Sequence, residues 1–256
     1  MVTIKNVSFH QFTCISLVVI SMLVQQSCID DEFTRPVRVS LSVIITEQNK
    51  TNNILSFESG EILVNEIQFN GQREAGGDYS FNTESGKKFG PQNFYPQSGN
   101  QQELTHFDFP QGIYTSMNWK FELSDGLERL KEEDDDDEDI GTPGLILHGN
   151  YIDPEGVTQQ VRIEIDPFES FECLSLTDTG DENINIISGS TYTAVLCFDP
   201  YFVFRAISTE SLEEADYEDD GISPVLLISS DSNEELYEII LYRLQLSAKI
   251  FVSQPE

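Results

Sequence analysis

From Ile113 to Leu123 the chain changes character at every step. Ile113, Thr115, Met117, Trp119, Phe121 and Leu123 alternate with Tyr114, Ser116, Asn118, Lys120 and Glu122. A period of two marks a strand with one buried face, because successive side chains leave opposite sides of the backbone. A helix would scatter the same residues around its axis. The first set is therefore predicted to face a core, with Met117 and Trp119 inside it. The period returns in Val37–Ile45, and again where Val161, Ile163 and Ile165 oppose Gln160, Arg162 and Glu164. On this pattern Glu164 should be solvated. Tyr192, Ala194, Leu196 and Phe198 form another apolar face, and shorter candidates run over 62–69, 79–83, 104–109, 145–151, 171–176 and 184–187. About ten short strands separated by Gly, Asn and Asp turns predict a mainly β fold, a two-sheet antiparallel β-sandwich.

Two segments break the alternation. Pro200 can open a short helix after Asp199 and the strand ending near Phe198, because proline suits a first helical position. Residues 233–247 predict a longer C-terminal helix. Leu236, Ile240 and Leu244 recur every four residues, Asp231 or Ser232 can cap the start, and Glu234 and Glu235 suit its positive end. This helix should cover a sheet edge or one end of the sandwich.

Residues 125–144 hold eight consecutive acids, Glu132 to Asp139. Such a run repels itself, which predicts an extended, disordered loop. Lying between two predicted strands, it is read as a long hairpin loop, with residues 37–256 as a single domain. The whole chain has 45 acidic and 14 basic residues, a net charge of −31. That excludes nucleic acid as a partner, since phosphate contacts need a basic face. It also disfavours adsorption to anionic lipid.

The N-terminus carries an address. Lys5 precedes an apolar run from Ile15 to Val24, followed by Gln25, Gln26, Ser27 and Cys28. The run is shorter than the roughly 20 residues that span a bilayer and has the layout of a secretory signal. Cleavage after Ser27 would make residues 1–27 a lipoprotein signal peptide, leave Cys28 as a lipidated N-terminus, and make residues 28–36 a tether. The Gln25–Cys28 stretch resembles the bacterial lipoprotein box, with Gln25 where an aliphatic residue is usual. Asp30, Asp31 and Glu32 resemble the acidic surface-export signal of Bacteroidota lipoproteins. Phe109-Pro110-Gln111-Gly112-Ile113-Tyr114 resembles the Pro-x-Gly-x-Tyr strand entry of transthyretin-like and Ig-like β-sandwich modules. Together these features make the chain similar to surface-exposed lipoproteins of the Bacteroidota built on such a domain. That resemblance implies a cell outer membrane location, with lipid on Cys28 as the membrane link. It carries no catalytic residues with it.

Cys173 and Cys197 fall in predicted strands of an exported chain, where disulfides persist. A bridge would close a loop of about 25 residues and add roughly 3 kcal/mol. The alternative is two buried free thiols.

No reaction-specific motif is present. There is no G-x-S-x-G elbow, and outside the leader the only histidines are His106 and His148. His106, Met117 and His148 are the only soft-metal donors besides the two cysteines. Asp216, Glu218 and Asp220 follow the first half of an EF-hand spacing, but Pro224 and Leu227 break the second half. Calcium is thus the one cofactor with candidate ligands, against a reading with no cofactor. Tyr114, Phe94 and Tyr95 are aromatics that an exposed glycan site would use. The expectation is a non-catalytic, lipid-anchored binding module with a protein or glycan partner. The alternatives are a calcium-dependent adhesion or glycan-binding module, and a surface polysaccharide hydrolase.

Overall fold

The structure is a computed structural model that describes residues 35–46, 55–84, 86–96, 102–127, 142–219 and 224–254. Residues 1–34, which include the predicted leader, Cys28 and most of the predicted tether, lie outside the described residues, as do the eight-acid run and Asp220. In chain order the elements are β1 (Val37–Ile45), β2 (Leu55–Arg73), β3 (Tyr79–Asn82), β4 (Phe89–Phe94), β5 (Glu103–Phe109), β6 (Gly112–Leu123), β7 (Leu145–Ile152), β8 (Thr158–Ile165), β9 (Ser170–Thr177), β10 (Ile184–Ile186), β11 (Tyr192–Phe198), α1 (Pro200–Phe204), α2 (Thr209–Glu213), β12 (Glu218–Asp219), β13 (Pro224–Ile228), α3 (Glu234–Ser247) and β14 (Lys249–Ser253).

The fold is mainly β, but it is not a two-sheet antiparallel sandwich. All fourteen described strands belong to one continuous sheet. The sheet is mixed: β1 with β11, β8 with β13 and β9 with β14 pair in parallel. Parallel pairing needs crossovers between strands distant in sequence, and alternation along a single strand carries no trace of them.

Strand β2 organises the sheet. β4 flanks it at Ile62 and Val64, while on the other side β7 pairs with Ile62 and β6 with Val64. β6 and β7 therefore lie end to end along one side of β2. They do not pair with each other, so Leu123 and Leu145 end two collinear half-strands and are not the arms of the predicted hairpin. Leu63 ties the two half-strand ends at the break, where Ser124 N donates to Leu63 O and Leu63 N donates to Gly144 O, both at 2.8 Å. The next strand repeats the break. β8 pairs with β7, β9 pairs with β6, and only the turn 166–169 separates them. β13 and β14 continue the two halves, with α3 between them.

At the broken seam α3 packs against β13 and β9, one strand of each half. Leu236, Tyr237, Ile240 and Leu244 of α3 are buried, and the Tyr237 hydroxyl accepts from Asp166 N at 3.4 Å. The predicted caps are not used. Asn233 occupies the cap position in the left-handed region, at φ 62°, and its side chain makes no cap hydrogen bond. Its amide instead donates to Asp216 O (2.9 Å) and Leu227 O (2.6 Å) and accepts from Asp216 N (2.8 Å). Asn tolerates this backbone region better than most residues. The short helix after Asp199 forms as α1, with Phe202 N donating to Asp199 Oδ1. α2 follows it and was not predicted.

The far half rolls up until β5 meets β3. This closure is made by rings and one hydroxyl: Phe81 stacks on Phe107 at 4.5 Å, Phe69 meets Phe109 edge-on at 4.7 Å, and Tyr79 Oη donates to Asp108 O. The enclosed core includes Met117 and Trp119, as predicted, and Trp119 Nε1 donates to Ser175 Oγ at 2.9 Å.

The start of β6 corrects the alternation. Ile113 is exposed and Tyr114 is fully buried, because the register against β2 shifts between Gln72 and Arg73. The shift is a bulge, which adds one residue and exchanges the faces beyond it. Tyr114 Oη donates to Pro110 O at 2.8 Å, in the manner of a tyrosine corner. The Pro-x-Gly-x-Tyr spacing thus has a physical basis, and Tyr114 is no surface ligand. Phe94 is also buried, leaving Tyr95 exposed.

Candidate functional site

The outward face of β7 and β8 holds the most developed polar site. With Val161, Ile163 and Ile165 in the core, Gln160, Arg162 and Glu164 must point outward. The antiparallel register sets Asn150 beside Gln160, His148 beside Arg162 and Ile146 beside Glu164. Glu58 of β2, His148, Asn150, Gln160, Arg162 and Val225 line a groove of about 270 Å³. Asn150 Nδ2 donates to Glu58 Oε1 at 2.6 Å. Gly149 forms part of the floor, where a Cβ would stand 2.3 Å from Ser56 O, so only glycine fits.

Glu164 is not solvated. It is 0% exposed, although it lies on the polar face of its strand. Its neighbour Ile146 packs with Leu63 and Leu127 in a small apolar cluster on the same outer face. Leu127 belongs to the chain leaving β6, so this apolar cluster beside Glu164 draws on residues that β8's own sequence does not contain. A buried carboxylate costs several kcal/mol unless it is paired. Arg162 Nε stands 2.7 Å from Glu164 Oε1, an ion pair whose N–H is not aligned as a linear hydrogen bond.

Burial, reinforced by the Arg162 charge, pushes His148 below the usual imidazole value, while Glu61 and Glu164 oppose the shift. The groove therefore presents a neutral imidazole at neutral pH, two amides, the Glu58 carboxyl and the Arg162 guanidinium that is paired with Glu164. Its lining contains no Ser, Thr, Cys or Lys, so it supplies hydrogen bonds and no side-chain nucleophile of those types.

His106 belongs to a different group, on the exposed face of β1 and β5. Ser40 Oγ donates to Glu103 Oε2 at 2.7 Å, and Arg38 Nη2 and His106 Nδ1 each lie 2.9 Å from Oε1. These contacts, the Ser40 hydrogen bond foremost, lower the Glu103 pKa. The residue types are those of a catalytic triad, but the order is wrong. Nucleophilic catalysis needs the imidazole on the hydroxyl and the carboxylate behind it; here the carboxylate sits between them.

The remaining candidates are dispersed. Cys173 and Cys197 are free, buried thiols and not a disulfide. β14 lies between their strands, a separation of two strand spacings or roughly 9.6 Å, beyond the Cα distance a bridge can span. Cys173 packs into the main core, whereas Cys197 joins a separate cluster with Ile44 and Val195. Burial pushes both thiols up to about 12. Asp216 follows α2 with its backbone clamped by Asn233, and Glu218 sits in β12 opposite Val225. Among the described residues no three His, Cys, Asp or Glu side chains gather as a metal site. Met117 is in the core, apart from both histidines.

Sequence reasoning missed the Arg162–Glu164 pair and the amide role of Asn233. The only available signal was that Arg162 and Glu164 share a strand face. Compared with protein-family models, curated proteins and solved structures, the chain matches none. Among the described residues no helix is long and apolar enough to cross a membrane.

Proposed function

We propose that the protein is a non-catalytic binding module of the cell envelope, tethered through lipid on Cys28, and that the groove over β7 and β8 holds a neutral, hydroxyl-rich ligand such as a glycan. The observation that carries the reading is the groove lining. Asn150, Gln160, neutral His148 and Glu58 offer donors and acceptors on neighbouring strands about 4.8 Å apart. A sugar ring presents hydroxyls at comparable spacing. Arg162 is committed to Glu164, and a chain of net charge −31 repels anions. Both favour a neutral ligand over an acidic one.

Calorimetry of the full chain against a panel of neutral and acidic oligosaccharides tests the groove. Neutral glycans should bind, and Asn150→Ala with Gln160→Ala should weaken them at least tenfold, the loss of about 1.4 kcal/mol. Binding that survives both changes unaltered rejects the groove, and preference for acidic glycans rejects the ligand class. The tether rests on the leader sequence alone. Palmitate labelling should disappear in Cys28→Ala, and persistent labelling would reject Cys28 as the anchor.

A further inference from the structure

Helix α3 is apolar on two sides. One side faces the seam. On the other, Ile239, Tyr242 and Leu246 are 41%, 63% and 54% exposed. Their spacing of three and four residues places them on one ridge. The ridge runs into a cavity of about 190 Å³ whose lining includes Phe202, Leu246, Lys249, Phe251 and Cys197. The cavity floor joins the apolar outer face of β1, β11 and β14, where Ile44, Val195, Cys197 and Phe251 cluster. Solvent-exposed apolar side chains in a continuous patch mark an interaction surface.

Two features of the ridge identify its occupant. Tyr242 stands between two aliphatic residues, Ile239 three positions before it and Leu246 four positions after it. A two-fold axis across the helix there lays Ile239 on Leu246 of a second copy and sets the two Tyr242 side by side. The charges are also divided along the helix: Glu234, Glu235 and Glu238 stand exposed at its start, and Lys249 stands exposed just past its end. The same antiparallel contact brings Glu235 near Lys249 of the second copy, twice over. A self-complementary patch of this kind is what an isologous dimer requires.

We propose that α3 is the contact of a two-fold symmetric homodimer, with the helices antiparallel. The reading does not depend on the groove over β7 and β8. A helix of 14 residues is about 21 Å long. Contact along it falls short of the roughly 1,200–2,000 Å² of a stable interface, so the dimer is weak and concentration-dependent. Two copies of net charge −31 also repel at long range. Salt should therefore strengthen the association, whereas a cationic partner on this ridge would be displaced by salt.

Sedimentation velocity of the full chain, up to about 1 mM, tests this. A dimer should appear at the upper concentrations and grow as salt rises from about 0.01 M to about 1 M, which shortens the screening length from about 30 Å to about 3 Å. Tyr242→Ser with Leu246→Ser should weaken it at least tenfold while leaving the circular dichroism and the melting temperature unchanged, since both side chains are exposed. Glu235→Lys or Lys249→Glu alone should weaken it, and the two together should restore it. A monomer at every concentration overturns the proposal, as does a dimer insensitive to the ridge substitutions. Failure of the double charge exchange to restore association overturns the antiparallel arrangement.

Discussion

The same three residue types meet in two places. Arg162, Glu164 and His148 share the outer face of β7 and β8, and Arg38, Glu103 and His106 share the outer face of β1 and β5. Both pairs are close, at 2.7 and 2.9 Å, but their side chains are 14% and 0% exposed in the first and 52% and 39% in the second. Distance does not separate them; water does. An exposed pair is screened and contributes little. A buried one interacts strongly, and each partner becomes costly once the other is removed. Beside Glu164, across the strand pair, Ile146 packs with Leu63 and Leu127, while β5 is an edge strand whose outer face stays open.

Removing one charge should expose the contrast most sharply. Glu164→Gln leaves Arg162 without its carboxylate and should destabilise the fold by about 3–5 kcal/mol, read as a lower urea midpoint at constant slope. A loss under about 1 kcal/mol would mean the pair behaves as a surface pair. Removing both charges should cost much less: Arg162→Met with Glu164→Leu is expected within about 2 kcal/mol of the parent on either side. If the double variant is as damaged as Glu164→Gln, packing and not charge holds this face.

The histidine supplies a pH test. Its folded pKa is lowered, chiefly by burial, so the unfolded chain takes up the proton first as pH falls. His148 therefore contributes stability above the ordinary imidazole value near 6.5, and that contribution is lost as pH drops through it toward the folded value. Denaturation midpoints between pH 8 and pH 5 should fall less steeply in His148→Gln than in the parent. An unchanged slope would show that other groups govern it. The smallest effect belongs to the exposed site, where Glu103→Gln should shift stability by no more than about 1 kcal/mol and lose even that at high salt. Its lowered carboxylate pKa acts in the same sense over a more acidic range, with stability present above the ordinary carboxylate value and lost in acid. A salt-insensitive loss at Glu103 would erase the distinction between the two sites.

Much of each strand was legible from spacing. Val161, Ile163 and Ile165 face the core, as do Met117, Trp119 and Phe121, because period two leaves them nowhere else to go. Tyr114 broke the pattern because β6 bulges at Thr115, opposite Gln72 and Arg73, which exchanges the faces; the bulge shows only once β6 is laid against β2, about 40 residues earlier in the chain. Glu164 broke it because it is buried beside Ile146, whose cluster with Leu63 and Leu127 forms only when β6 and β7 dock on β2. In the candidate site, Gln160 and Arg162 could be placed outward from sequence. Their meeting with Glu58, His148 and Asn150 could not, since it depends on which strands become neighbours.

By itself the sequence determined that the chain is built of strands, which side of most strands is buried, where its long helix lies and how acidic it is. Each of these follows from residues a few positions apart, over which local backbone geometry has a fixed period. Tertiary structure decided that the strands form one mixed sheet, that β6–β7 and β8–β9 are broken strands running past each other, that Cys173 and Cys197 lie too far apart to bond, and that one Arg–Glu pair is dry while the other is wet. These depend on contacts between distant segments, and burial is a property of what covers a residue as well as of the residue itself.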